Sequence, residues 1–410
     1  MGKEILKNAN KYTIIGAGAS GLCSAVILAR KGFQVTIIEQ NKKVGKKLLA
    51  TGNGRCNITN TNISSTHFHS QNPNFIKDVL KGFDTTKIED FFNSIGIKLT
   101  KADDGKVYPM SLQASSVVNA LEYEASSLGV NIITECKVNS VKRQNDKFIL
   151  QTTKDTYTST HLVIATGSLA YSSLGGSDSG YEFASLLSHP LIPRYPTLVQ
   201  LKTSTTHTKI CSGVKIDAIV KLYANGEFVV QKDGDVLFTD YGVSGLAILD
   251  ISRFVSMHLA QFAYCQLHID IMPHINKDKL THMLLSSIDK TSQKPLWLYL
   301  NGFVNHKLAK AIIQHSKTKA KYEGDLNRKE IAKIVYSIKN FSLDIEDTRG
   351  FDRAEVVAGG VDTTYIKPKN LESKLIPNLY FLGEVLDVDG DRGGYNLHFA
   401  WVCGLRMVSI

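Results

Sequence analysis

The sequence predicts an α/β protein, and three stretches carry that prediction. A strand–glycine turn–helix–strand pattern lies near the start, and antiparallel-looking segments followed by helices fill the middle. A buried strand near the end leads through a glycine-rich loop into an apolar helix. The early and late parts read as one parallel sheet and the middle as an insertion into it. At 410 residues the chain is too long for one compact core and divides into two or three domains.

The first pattern is "KYTIIGAGASGLCSAVILARKGFQVTIIEQ". Tyr12 to Ile15 reads as a buried parallel strand, Gly16 to Gly21 as a turn, and Ser20 to Arg30 as a helix stopped at Gly32. Phe33 to Ile38 gives a second strand ending in Glu39. Gly16 suits the tight turn, Gly18 lets the backbone approach a pyrophosphate, and Gly21 lets helix and strand pack closely. The helix N-terminus then faces the phosphates. Glu39, twenty-three residues after Gly16, stands where a carboxylate binds both hydroxyls of an adenosine ribose. Dinucleotide binding follows; at this point FAD and NAD are both open.

"GKKLLATGNGRCNITN" comes next and reads as a loop over the cofactor crevice. Lys46 or Lys47 would face the pyrophosphate and Asn57 a flavin edge. Arg55 beside Cys56 would favour a thiolate, so Cys56 is a candidate redox or nucleophilic residue. The plainer reading is a small packing residue.

Through the middle, helices are expected near Asn74–Leu80 and Ile88–Ser94, and an amphipathic one follows "GKVYPMS". Val138–Val141 and Phe148–Gln151 suggest an antiparallel ribbon, and "HLVIATGS" a buried strand ending on the cofactor side at Ala165-Thr166-Gly167. Prolines 190, 193 and 196 are expected to break the chain. Short β segments then follow at Leu198–Leu201, Ile216–Tyr223, Glu227–Gln231 and Val236–Phe238, with mostly helix from Leu280 to Lys339.

"GEVLDVDGDRGGYN", Gly383 to Asn396, alternates Asp387, Asp389 and Asp391 like a calcium loop. A loop starting at Asp387 would need Gly at position six and Glu at twelve, where Arg392 and His398 stand. The stretch instead reads as a strand–loop–helix ligand wall. Gly393 and Gly394 would pass a reactive ring without obstruction, and the helix beginning near Asn396 would point its N-terminal dipole there. That dipole suits the negative charge of a reduced flavin, which favours FAD over NAD.

Composition narrows the rest. The formal charge is +10, and residues 305–339 hold nine Lys/Arg against three acidic residues. A solvated helical face explains this. A polyanion groove is the alternative, set against by the lack of interleaved base-stacking aromatics. Six scattered cysteines without a CxxC pair suggest neither zinc nor a disulfide scaffold and suit a reducing compartment. No signal peptide or membrane span is read, so a cytoplasmic protein without a bound metal is expected.

Together, "GAGASG", "GKKLLATGNGRCNITN", "KVYPMS", "VIATGS", "DVLFTDYGVSG", "AEVVAGGVD" and "GEVLDVDGDRGGYNLHFAW" resemble the bacterial HI0933-like, or BaiN/RdsA-type, flavoprotein family. Its members are often described as NAD(P)/FAD-dependent or aminoacetone-oxidase-like oxidoreductases. The resemblance spans nearly the whole chain. It implies a Rossmann-like FAD-binding domain of the two-dinucleotide-binding-domain type, interrupted by a β-rich domain that carries a small helical insertion. The expected limits are 1–193 with 352–410, 194–275 with 340–351, and 276–339. Carried over by motif, the FAD contacts fall on Gly16, Gly18, Ala19, Ser20, Gly21, Glu39, Gln40, Lys47, Gly54, Arg55, Cys56 and Asn57. They continue at Val138, Ala165, Thr166 and Gly167, then at Gly383, Glu384, Asp389, Gly394, Tyr395 and Asn396. The sequence departs from the family pattern at Asn53, at Leu246, at Arg392 and in the "SLAYSSLGG" that follows "ATG", each of which bears on the substrate side.

The implied function is an FAD-dependent oxidoreductase that passes hydride between flavin N5 and a small organic substrate, with NAD(P)H as a candidate electron donor. Tyr241 and Arg392 are the candidate substrate contacts, and no catalytic acid is named. The alternatives are a flavoprotein that binds RNA or a partner through its basic helical part, and an NAD-only dehydrogenase.

Overall fold

The computed structural model describes residues 11–409. Two compact units emerge. The chain through Arg194, rejoined from Val356 onward, forms one, and Tyr195–Glu355 forms the other.

The first unit is built on a five-stranded sheet, all parallel, with strands in the order Leu379–Phe381, His161–Ile164, Lys11–Ile15, Gln34–Ile38 and Asn131–Ile133. The runs are rich in Ile, Val, Leu and aromatic residues, and the inner strands are largely buried, as a helix-covered parallel sheet requires, while the edge strand Asn131–Ile133 is only partly covered. The N-terminal helix, Ala19–Arg30, is buried from Ser20 to Leu28. The C-terminal helix, Tyr395–Arg406, packs directly on it. A Cβ at Gly404 would lie 2.6 Å from Cys23 Sγ, so glycine there permits the close approach. This contact brings the last motif of the sequence onto the first. The expected ribbon forms a three-stranded antiparallel sheet of Val138–Gln144, Lys147–Thr152 and Thr156–Ser159.

The second unit holds a closed barrel of Leu201–Thr203, Gly242–Ser244, Glu227–Phe238, Lys215–Ala224, Cys265–Asp270 and Phe341–Thr348, antiparallel throughout. Closure removes the sheet edges. Its core continues into helices Lys277–Ser286, Leu296–Leu300, His306–Ser316 and Arg328–Lys339, whose apolar residues belong to the same buried cluster.

Several local expectations give way. The proline-marked stretch is a strand, Leu191–Thr197, in a two-stranded sheet where Pro193 and Pro196 can lie on an edge that needs no donor. Leu198–Leu201 is therefore not a strand start; Leu198 sits at φ 49° between two strands. The segments at 227–231 and 236–238 are one strand, and the helix after Gly245 runs fifteen residues to Ala260. The "GKKLLATGNG" loop is a helix, Lys46–Gly54, kinked where Gly52 and Asn53 adopt left-handed conformations.

Candidate functional site

The site is assembled from four places in the first unit. At the glycine turn Gly16 has φ 102°, and a Cβ there would lie 2.5 Å from the Ala165 carbonyl oxygen. Gly21 is equally restricted, its Cβ position falling 2.0 Å from the Gly16 oxygen, whereas around Gly18 there is open space. The turn is thus closed against the sheet on one side and open at the helix N-terminus on the other, the shape that admits an anionic ligand to backbone N–H groups.

Glu39 caps the second strand and is buried. Its carboxylate accepts from the Ala17 N–H at 2.8 Å and from the backbone and side-chain nitrogens of Asn41 at 2.8 and 2.6 Å. The glycine turn and the acid are therefore tied directly together. Cys136 N–H donates to the Glu39 carbonyl, which brings the approach to Val138 alongside. Gln40 donates to the Gly175 carbonyl at 2.9 Å.

Glu384 is the hub between distant segments. One oxygen pairs with Lys47 Nζ at 2.9 Å; the other accepts from Ser168 Oγ at 2.8 Å and Val357 N–H at 3.2 Å. Ser20 Oγ donates to the Leu382 carbonyl at 3.4 Å, and a Cβ on Gly383 (φ 75°) would meet that hydroxyl at 2.7 Å. Ala165 is buried at the end of its strand, with Thr166 and Gly167 half-buried beyond it; Gly167 has open space around it.

The Gly390–Asn396 loop closes the wall. Gly394 has φ 101°, and its Cβ position lies 2.7 Å from the Thr59 carbonyl and 2.9 Å from Asn57 Oδ1. Asn60 Nδ2 donates to the Gly393 carbonyl at 2.9 Å. Asn57 Oδ1 is buried without a hydrogen-bond partner, an acceptor awaiting a donor. Asn396 turns its amide onto Gly390, accepting from its N–H and donating to its carbonyl, both at 2.8 Å. Its side chain therefore braces the loop, leaving the helix N-terminus as what this position presents. Asp389 is buried in a short antiparallel pairing with His69.

Other candidates lie differently. Cys56 is fully buried at φ 61°, and burial pushes its thiol up to about 12. Arg55 does not activate it: the guanidinium lies over the Tyr108 ring at 5.0 Å. Gly54 is exposed. Tyr241 belongs to the second unit, with Arg349 over its ring at 4.3 Å.

One cluster was missed. Asp391 Oδ1 meets His69 Nε2 at 2.8 Å and Oδ2 meets His67 Nδ1 at 3.2 Å, while the His67 ring stacks on Tyr395 at 4.3 Å. Asp391 immediately precedes Arg392 on the loop, so both half-buried imidazoles are fastened to the segment that carries Arg392. The paired histidines of "HFH" were the available signal; His67 ends a short 3-10 turn and His69 lies in the two-residue strand after it.

A parallel sheet with this glycine turn, ribose-ready acid and late glycine wall defines a dinucleotide-binding protein of the flavoprotein type. The model of the HI0933-like protein Rossmann domain matches residues 10–409, and the chain belongs to that family of FAD-dependent oxidoreductases. It is 35% identical over 398 residues to a 3-dehydro-bile acid delta(4,6)-reductase of Clostridium scindens, covering 96% of this chain and 97% of the relative. It is 32% identical over 394 residues to a ribosomal RNA dihydrouridine synthase of Haemophilus influenzae, covering 95% of each. The Escherichia coli ribosomal RNA dihydrouridine synthase is 30% identical, covering 95% of this chain and 94% of the relative. Among solved structures, the 3-ketosteroid delta1-dehydrogenase of Sterolibacterium denitrificans shares the fold at TM-score 0.50 and 11% identity, covering 97% and 99% of the two chains.

Family membership implies the capacity to bind FAD, and the residues present fit it. The space at Gly18 and Gly167, the buried Glu39 carboxylate and the unpartnered Asn57 oxygen are features an extended dinucleotide would use. Among the described residues, no helix is long and apolar enough to cross a membrane.

Proposed function

We propose that this chain is an FAD-dependent reductase of a carbon–carbon double bond conjugated to a carbonyl, with NAD(P)H as electron donor. When bound, FAD supplies hydride transfer. Glu39 would hold the ribose hydroxyls. The N–H groups from Gly18 to Ser20 would hold the pyrophosphate, with the Ala17 N–H kept on Glu39, and Lys47 and Glu384 would line its middle. Asn57 and the N-terminus of the Tyr395–Arg406 helix would orient the reactive ring and stabilise charge on it. The single observation that carries this reading is the orphaned Asn57 oxygen beneath Gly394, a buried acceptor set where two distant motifs converge.

The substrate class is supported by the relatives. One is named for delta(4,6) reduction of a 3-dehydro-bile acid and two for dihydrouridine synthesis. Both chemistries add a hydride and a proton across a double bond activated by a carbonyl. Anaerobic reduction of the purified protein by NADPH or NADH, followed by mixing with an enone steroid, uridine-containing RNA or neither, tests the reading. Flavin reoxidation with either unsaturated compound is expected. Flavin that stays reduced with both compounds, and reoxidises only when oxygen is then admitted, would overturn it in favour of an oxidase.

A further inference from the structure

Arg55 stands apart from other arginines of the first unit. Arg30, Arg143 and Arg194 each hold a carboxylate, and Arg406 donates to the carbonyls of Asp78, Val79 and Lys81. Arg55 is exposed, its Nε donating to the Gly52 carbonyl at 3.3 Å and its guanidinium lying over the Tyr108 ring. Its terminal nitrogens meet no acceptor among the described residues. The ring contact settles where the guanidinium lies and leaves those N–H donors open.

The backbone is bent to make this placement. Gly52, Asn53 and Gly54 follow one another at φ 57°, 55° and 80°, three left-handed residues in a row. A Cβ at Gly52 would lie 3.0 Å from Asn57 N and 3.5 Å from Tyr108 Cε1, and one at Gly394 would lie 2.9 Å from Asn57 Oδ1. Arg55 is therefore joined, through Gly52 and Tyr108, to the place where the last motif meets Asn57. Beyond Tyr108 the chain exposes two apolar residues, Met110 at 67% and Leu112 at 46%. Leu112 sits at φ 51°, a costly conformation for leucine that burial does not offset here. Backbone strain of this kind collects at ligand sites. Open guanidinium donors beside an apolar lip suit a substrate with a hydrocarbon body and one oxygen that turns negative during reaction.

We infer that Arg55 is a catalytic residue, its guanidinium donating to the carbonyl oxygen conjugated to the substrate double bond. The inference rests on the reductase reading above and adds the group that activates the double bond. Hydride, drawn from NAD(P)H, adds at the β carbon. The double-bond pair shifts toward the carbonyl carbon, and the carbonyl π pair moves onto oxygen as an enolate. Arg55 holds that charge and keeps its own protons. The α carbon then takes a proton from water and the carbonyl re-forms, leaving the substrate reduced by two electrons.

Titrating 4-chlorophenol into the full-length, oxidised FAD-loaded protein tests this without turnover, because its phenolate imitates the enolate. Binding is read from the long-wavelength absorbance of phenolate stacked on flavin. Affinity is expected to rise with pH as the phenol ionises. Arg55→Gln should weaken binding about tenfold to a hundredfold, and Arg55→Lys should recover part of the loss. Reoxidation of the reduced protein by an enone should slow about a hundredfold in Arg55→Gln. FAD content, reduction by NADPH and reoxidation by oxygen should match the unaltered protein. Unchanged phenolate affinity in Arg55→Gln overturns the inference. So does loss of FAD from that variant, which would make Arg55 a cofactor ligand. Either result in a protein that reduces the enone fails this inference alone; an unaltered protein that reduces no double bond fails the reading beneath it.

Discussion

Lys47 and Glu384 stand 337 residues apart in sequence and 2.9 Å apart in the fold. The pair joins the segment after the second strand to the segment after the last. Glu384 also accepts from Ser168 and Val357. Replacing it by alanine strips a partner from each, so a loss of about 1–3 kcal/mol is expected in the cofactor-free protein. Lys47→Ala should cost much less, because the pair is partly exposed. Chemical denaturation of the two variants checks the order.

Two glycines of one turn should behave oppositely. Gly16→Ala drives a Cβ into the backbone of Ala165 at a left-handed φ and should impair folding. Gly18→Ala meets open space, so the cofactor-free melting temperature should stay close to that of the unaltered chain while FAD affinity drops. Melting curves with and without added FAD separate the two effects.

Burial keeps the Cys56 thiol protonated at neutral pH, near a pKa of about 12. Iodoacetamide should leave Cys56 unmodified in the folded protein at pH 8, and Cys56→Ala should retain flavin reduction. Mass spectrometry after labelling checks the first point. Modification on the folding-competent timescale would restore the nucleophile reading.

His398 is buried between Thr59 Oγ1 at 2.8 Å and the Phe83 carbonyl at 3.2 Å, a pairing that fits the neutral ring. Burial pulls its pKa down to about 4. Below the ordinary value of 6.5 the unfolded chain takes up a proton that the folded chain refuses. Stability should therefore decline as pH falls from about 6.5 to 4, by on the order of 3 kcal/mol from this group. His398→Gln should lower stability at neutral pH and flatten that decline.

Sequence legibility followed how local each determinant is. Gly16, Gly18, Gly21 and Glu39 announce themselves because one βαβ unit fixes their roles within about thirty residues. The pairing of Lys47 with Glu384, and of Asn57 with Gly394, depends on the whole sheet and on the Gly404–Cys23 helix contact, which no local pattern states. The strand holding Pro193 and Pro196 was hidden because proline is excluded only where a strand must donate on both edges. Barrel closure in the second unit arises from pairings between segments distant in sequence.

The account's central claim is that the two ends of the sequence build one FAD site. The most direct measurement is the cofactor released by heat from the purified protein, after reconstitution with FAD if it is isolated without flavin. The account predicts a yellow protein holding close to one FAD per chain, with occupancy sharply reduced in Gly18→Ala. A folded chain that retains no flavin after reconstitution, or that binds NAD in its place, would contradict it.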